Sequence, residues 1–257
     1  MNTTLQAIKR IFTIALAMAS PFALNAQGLE LPKLSRTEII IVHSGHTLSY
    51  NPEWMIPNWV AYELKASELE GNAQRQRSFS PDPDPKLAGY VLAEHGDYTN
   101  SGWCRGHMIP AGDVKYSQKA MDESFYTTNI CPMETSFNNG DWKRLEEKIR
   151  KWALEYGCVY VMTGPIVGRN HHGTVGKSNI VVPDAFYKAV LIPDHGSYLT
   201  IGFLMFNEPS VKHKLRDYAV SVEKLESMIN KSLFYKLPRS TAKQIKSYLP
   251  LKELGLY

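Results

Sequence analysis

One short region of the sequence concentrates side chains that could hydrolyse a phosphodiester bond. Arg105 and His107, separated by one glycine, are followed by Asn129 and then by Asn138 and Glu146. Such a hydrolysis needs a base for the attacking water, a cation for the charge on the phosphate oxygens, and stabilisation of the departing oxygen. His107 is the candidate base, because an unperturbed histidine has a pKa of about 6.5 and accepts protons near neutral pH.

Three side chains of this region could supply oxygen atoms to a metal ion, directly or through bound water: Asn129, Asn138 and Glu146. Mg²⁺ prefers oxygen ligands, uses few from the protein and keeps several waters. Two amides and a carboxylate therefore favour a magnesium-type site over zinc or iron.

Arginines near the same residues are candidates for binding phosphate. A helix that begins at Asp141 would place Glu146 and Arg150 one turn apart on one face. The guanidinium group matches phosphate oxygens and stays charged at any working pH. We therefore predict that Arg77, Arg105 and Arg150 contact phosphate.

The elements that must position these residues follow from the apolar pattern. Apolar residues at helical spacing predict one helix from Asp141 to Gly157. A second helical pattern covers residues 221–235. Runs rich in β-branched and aromatic residues predict strands at 39–42, 60–64, 159–163, 186–192 and 198–206.

The organisation of the chain favours one domain, over residues 30–257. There is no internal repeat and no change of composition that would mark a linker. The proline-rich stretch 80–85 is predicted to be an extended loop, residues 115–126 a polar loop or short helix, and residues 168–179 a polar loop.

Residues 1–26 have the basic, apolar and small-residue zones of a secretory signal peptide. We expect export, to a periplasm or out of the cell, and no integral membrane association after cleavage. Loss of Lys9 and Arg10 would lower the net charge from +4 to +2. Any affinity for nucleic acid must then come from a local cluster of charge.

The three cysteines make an odd count for a chain that matures in an oxidising compartment. Cys104 and Cys131 could form a disulfide if their two motifs fold into one site, and the sequence leaves that question open. Cys158 lies in a predicted buried strand. The absence of Cys-x-x-Cys spacing argues against a structural zinc site.

An ordered set of motifs extends from about residue 50 to 235. In chain order it comprises Arg77-Ser78-Phe79-Ser80-Pro81-Asp82-Pro83, Asp97-Tyr98, Ser101-Gly102-Trp103, Arg105-Gly106-His107, Ala120-Met121, Phe125-Tyr126, Thr128-Asn129-Ile130-Cys131-Pro132, Asn138, Trp142, Leu145-Glu146 and Thr163-Gly164-Pro165. This order closely resembles the DNA/RNA non-specific endonucleases, which include mitochondrial endonuclease G. A set this long is far more specific than any single triplet.

The resemblance implies an α+β fold with a ββα-metal finger and a central antiparallel sheet flanked by helices. It also implies cleavage of DNA and RNA with Mg²⁺ or Mn²⁺ to leave 5′-phosphates. The oligomeric state does not follow from it.

By resemblance, His107 is the general base, Asn138 the metal ligand and Glu146 the residue that orients metal-bound water. Asn129 would fix the catalytic pocket by hydrogen bonding. Arg77, Arg105 and Arg150 would hold phosphate or stabilise the transition state. Two positions depart from the family pattern, since Cys104 stands where Asp is usual and Met133 where Gln is usual.

An Arg-Gly-His triplet alone recurs by chance, and by itself it favours an ordinary half-buried histidine without a catalytic role. Two functions other than that of an endonuclease also remain open. A secreted nucleic-acid-binding module that has lost cleavage, through Cys104, is the first alternative. A metal-dependent phosphodiesterase acting on small substrates is the second.

Overall fold

Antiparallel β-strands dominate the computed structural model, which describes residues 28–168 and 172–257. In chain order they are β1 (Ile39–Val42), β2 (Thr47–Asn51), β3 (Ile56–Lys65), β4 (Cys104–His107), β5 (Ile130–Met133), β6 (Cys158–Ile166), β7 (Thr174–Val175), β8 (Ile180–Val181), β9 (Ala185–Asp194), β10 (Ser197–Phe206) and β11 (Ala219–Val220). Seven form one sheet in the order β1-β2-β3-β6-β9-β10-β11, with every neighbouring pair antiparallel. Two smaller antiparallel pairs, β4–β5 and β7–β8, lie outside it.

Helices cover this sheet and complete the site region. They are α1 (Gln118–Ser124), α2 (Thr135–Phe137), α3 (Lys143–Tyr156), α4 (Val222–Ile229) and α5 (Arg239–Ser247). A π-helical turn, Asn138–Trp142, joins α2 to α3 in one continuous helical segment. The strand pair β4–β5 followed by this segment is the predicted ββα unit. The predicted α+β class, with an antiparallel sheet flanked by helices, is thus confirmed.

The two faces of the sheet bury separate apolar clusters. Along β6, Val159 and Val161 belong to one cluster, whereas Tyr160 and Met162 belong to the other. Side chains alternate between the faces of a strand, so this division follows from the sequence. The first face carries α3 and the β4–β5 pair, and the second carries α4 and α5.

The helix predicted to begin at Asp141 begins earlier. Its first residue is Thr135, and the side chain of Glu134 caps it by accepting a hydrogen bond from the Phe137 amide at 2.6 Å. Asp141 lies inside the π-helical turn. The helix ends at Gly157, as predicted, where the backbone turns to a φ of 84° that favours glycine.

Other boundaries also differ from the prediction. The strand expected at 60–64 extends back through Pro57, which is tolerated because the β2–β3 register shifts between Ser49 and Tyr50. The second helical pattern ends at Ile229, where Asn230 adopts the left-handed conformation. The predicted signal peptide lies outside the described residues. Within them, no helix has the length and apolar character required to span a bilayer.

Candidate active site

The β4–β5 pair places His107 at the end of a short strand. Its register sets His107 opposite Ile130 and Arg105 opposite Pro132. The indole Nε1 of Trp142 donates a hydrogen bond to the His107 carbonyl at 3.4 Å. The histidine is therefore tied both to β5 and to the helical segment that follows it.

The imidazole of His107 is buried, with 8 % of the residue exposed. Its ring contacts the rings of Phe79 and Phe125, at centroid distances of 5.3 and 4.9 Å. Nε2 has no hydrogen-bond partner among the described residues. Burial, and next the charge of Arg75, lower the pKa of His107 to about 3. The ring is consequently neutral at physiological pH, which is the form that accepts a proton.

A cleft of ≈ 230 Å³ brings most of the predicted site residues together. His107, Arg105 and Arg150 line it, as do Asn138 and Glu146. Base, amide, carboxylate and guanidinium groups therefore share one space, although they come from β4, the π-helical turn and α3.

One of the arginines that line the cleft, Arg75, is not among the predicted arginines. Arg77 is exposed and is not among the lining residues, whereas Arg75 is. The guanidinium carbon of Arg75 lies 5.3 Å from the centroid of the Phe125 ring. Burial raises the pKa of Glu146, and the charge of Arg75 is one of those that oppose this rise. The structure therefore places Arg75 rather than Arg77 with the other residues of the cleft, and the contact of Arg77 with phosphate stays a prediction.

Arg105 and Arg150, two of the arginines predicted to contact phosphate, line the cleft, and both are held by protein contacts. Nη2 of Arg105 donates to the His95 carbonyl at 2.7 Å and to Thr99 Oγ1 at 3.2 Å. Nη1 of Arg150 donates to Asp113 Oδ1 at 2.8 Å. These bonds leave each planar group with further N–H donors, so both remain able to bind an anion.

Asn138 and Glu146 are two residues of the cleft whose side-chain oxygens could hold a cation, directly or through its waters. Glu146 lies on α3, and burial raises the pKa of its carboxyl group while the charge of Lys188 opposes that rise. Within residues 28–168 and 172–257, no group of three or more His, Cys, Asp or Glu could hold a metal ion. One amide oxygen and one carboxylate suit a hydrated hard cation that keeps most of its waters.

Asn129 does not line the cleft, but its side chain bonds to the backbone two residues after His107. It is fully buried, and its Nδ2 donates to the carbonyl groups of Ser124 and Ile109 at 2.8 and 3.1 Å. Its Oδ1 accepts from the Ile109 amide at 3.0 Å. Because Asn129 has no exposed surface, its oxygen is not open to the cleft, and its bonds to the backbone are of the kind that the predicted role of fixing the pocket requires.

The three cysteines are free thiols, so the disulfide left open by the sequence is not formed. The strand register pairs Cys104 with Met133 and Cys131 with Gly106. The two thiols are thus diagonal across the pair, beyond the usual span of a disulfide. Burial raises the pKa of Cys104, and hydrogen bonds with the Asn138 and Thr135 side chains oppose that rise. The thiol of Cys104 itself donates to the Met133 carbonyl at 3.2 Å.

Three residues near the cleft were missed by the sequence analysis: Arg75, Lys143 and Lys188. Lys143 lines the cleft. Lys188 is fully buried in β9 behind it. A single lysine within the apolar run of residues 186–192 was a signal that could have identified Lys188.

The comparisons with known proteins agree on one class of protein, the nucleases. The family model described as DNA/RNA non-specific endonuclease matches residues 30–240. The mitochondrial nuclease EXOG of Xenopus laevis is 37% identical over 76% of this chain and 58% of that protein. Nuclease C1 of Cunninghamella echinulata is 34% identical over 76% of this chain and 82% of that protein. The chain spans a little more than half the length of the EXOG relatives.

A solved structure shares the fold. The EndoG/EndoGI complex, described as revealing the mechanism of EndoG inhibition, contains a chain that matches with a TM-score of 0.72. The two sequences are 27% identical over 82% of this chain and 90% of that one.

Proposed function

This chain belongs to the DNA/RNA non-specific endonuclease family, and on that premise we propose that it is a metal-dependent endonuclease that hydrolyses phosphodiester bonds in DNA and RNA. One observation carries the proposal. The neutral, unpartnered Nε2 of His107 belongs to the same cleft as Asn138, Glu146 and the arginines.

In this proposal His107 is the general base. Its depressed pKa keeps the imidazole unprotonated, and a bound phosphate nearby would raise that pKa toward a value suited to proton transfer. The proton of the attacking water would move to the imidazole as the oxygen approaches phosphorus. Glu146 would orient the waters of the cleft by accepting their hydrogen bonds.

The remaining groups bind and stabilise the phosphate. Arg75, Arg105 and Arg150 would donate N–H groups to its non-bridging oxygens, where negative charge grows in the transition state. Asn138 would hold a Mg²⁺ or Mn²⁺ ion, with Glu146 bonded to its waters. When bound, that ion would neutralise charge on the phosphate and on the departing 3′ oxygen. Because the 3′ oxygen departs, the product would carry a 5′-phosphate.

The proposed substrate is a nucleic acid backbone rather than a particular base sequence. The polar groups of the cleft are suited to phosphate oxygens, and contacts to phosphate carry no sequence information. Activity should therefore fall as salt rises. We further propose that the protein is exported to a periplasm or to the medium, because residues 1–26 have the zones of a signal peptide.

The decisive experiment is cleavage of a supercoiled plasmid by the protein with Mg²⁺, then with EDTA. Nicking that EDTA stops supports the proposal. Binding without nicking would instead favour a nucleic-acid-binding module. Faster hydrolysis of a small diester than of DNA would favour a small-substrate phosphodiesterase.

Two variants assign the roles. His107→Ala should abolish nicking and retain DNA binding, because Arg105 and Arg150 remain, and wild-type turnover would refute the base assignment. Asn138→Ala should raise the Mg²⁺ concentration needed for half-maximal activity. A metal titration that superimposes on that of the wild type would remove Asn138 as the ligand.

A further inference from the structure

A buried carboxylate holds one of the arginines of the cleft without lining the cleft itself. Asp113 is 2 % exposed, and its Oδ1 accepts a hydrogen bond from Nη1 of Arg150 at 2.8 Å. Its Oδ2 accepts from the hydroxyl of Tyr62 at 3.1 Å. Burial of a carboxylate is unfavourable unless the group is paired and hydrogen-bonded. The two bonds, one to α3 and one to β3, meet that requirement.

The backbone before Asp113 packs against the same guanidinium group. Pro110, Ala111 and Gly112 line the cleft. A Cβ atom at Gly112 would lie 3.0 Å from Nη1 and 3.4 Å from Cζ of Arg150. The side chain of Arg150 is 22 % exposed. The segment that follows His107 therefore fixes the position of this guanidinium group.

This arrangement keeps Arg150 from pairing with a carboxylate of its own helix. Glu146 lies four residues before Arg150 on α3, a spacing at which a carboxylate and a guanidinium group can form an ion pair. In the part of the chain that the structure describes, Arg150 pairs with Asp113, and no ion pair joins it to Glu146. An ion pair between the two would occupy the oxygens of Glu146 and direct the N–H groups of Arg150 away from a phosphate.

We propose that Asp113 is a positioning residue of the nuclease site, which holds Arg150 away from Glu146 and directs its N–H groups at the phosphate. The bond to Asp113 uses Nη1, and the guanidinium group has further N–H donors. The inference rests on the proposed function. It assigns a role in substrate binding to a residue that does not line the cleft.

The test is a double-mutant cycle, measured as kcat/KM for plasmid nicking. Asp113→Ala should lower kcat/KM about tenfold, the loss expected for one charge-assisted contact to phosphate. Asp113→Asn keeps one acceptor oxygen, and a bond to a neutral acceptor is about half as strong, so the loss should be about threefold. In an Arg150→Ala background, both substitutions should change kcat/KM less than about twofold, because the group through which Asp113 acts is absent.

Glu38→Ala is the matched control, because Glu38 is also a carboxylate that bonds a cation and an aromatic side chain. It accepts from Lys231 Nζ at 2.9 Å and from Trp59 Nε1 at 2.7 Å. Glu38 does not line the cleft, and Trp59 belongs to the apolar cluster on the other face of the sheet. Glu38→Ala should lower the melting temperature and leave kcat/KM unchanged.

The outcomes separate the two proposals. Wild-type protein that nicks no DNA overturns the proposed function, and this inference with it. Nicking by the wild type, with the same loss in both backgrounds or with no loss in either, overturns the role of Asp113 alone. If Asp113→Ala does not fold, the cycle with Asp113→Asn carries the same test, because asparagine has nearly the shape of aspartate and still offers Tyr62 a partner.

Discussion

Two arginines separated by one residue allow the composition of the cleft to be tested. Arg75 lines it and acts electrostatically on His107 and Glu146. Arg77 is also exposed and does not line it. Alanine at either position removes the same charge from the same loop, so each variant is a matched control for the other.

The expected loss follows from one charge-assisted contact to phosphate. Such a bond contributes about 1.5–3 kcal/mol, and the lower end applies because Arg75 is exposed and screened. About 1.4 kcal/mol corresponds to a tenfold change. We expect Arg75→Ala to lower kcat/KM about tenfold. Removal of the charge also raises the pKa of His107, so the loss should be larger at low pH.

The assay is cleavage of an end-labelled duplex at several salt concentrations, for wild type, Arg75→Ala and Arg77→Ala. Loss of one phosphate contact should reduce the slope of log(kcat/KM) against log[salt] by about 0.9. Arg77→Ala should change kcat/KM less than about twofold, as expected for an exposed charge away from the site. A larger effect of Arg77→Ala than of Arg75→Ala would refute the assignment.

Three further predictions follow. Burial lowers the pKa of His46 and of His107 to about 3, whereas an unfolded histidine has a pKa of about 6.5. As the pH falls below about 6.5, each of the two should therefore lower the free energy of unfolding by about 1.4 kcal/mol per pH unit. Urea unfolding at pH 7 and pH 5 measures this, and His46→Leu should flatten the dependence. Asn129→Ala should lower the free energy of unfolding by about 3 kcal/mol, since buried partners lose their bonds; an unchanged urea midpoint would contradict this. Because Cys104 and Cys131 are unbridged, dithiothreitol should leave the melting temperature unchanged, and a drop would reveal a disulfide.

The parts of the fold that could be predicted are those in which the local sequence pattern and the tertiary packing favour the same element. The runs at 159–163, 186–192 and 198–206 are apolar on both faces, and all three became central strands. The short strands β4 and β5 could not be predicted from the local pattern, since Pro132 and Gly106 weaken any local preference for a strand, and only the family resemblance implied them. They form because the ladder between them is stabilised by the core on which it packs.

The site was predictable where chemistry and spacing fixed a residue, and not where the backbone is irregular. His107, Asn138 and Glu146 share the cleft as expected. Arg75 and Arg77 lie in a segment without regular structure, and periodicity cannot say which of two such side chains turns inward. Lys188 was missed because a strand pattern identifies a buried face but not which polar atoms meet across it.

The π-helical turn makes the site sensitive to the number of residues between Asn138 and α3. Asn138 is its first residue, whereas Glu146 and Arg150 follow on α3. Each residue of an α-helix advances about 100° around the axis. Deleting one residue between Asn138 and Trp142 would thus rotate both later side chains away from the amide by more than a quarter turn. Insertions and deletions in this turn should therefore be tolerated far less than insertions and deletions in a surface loop.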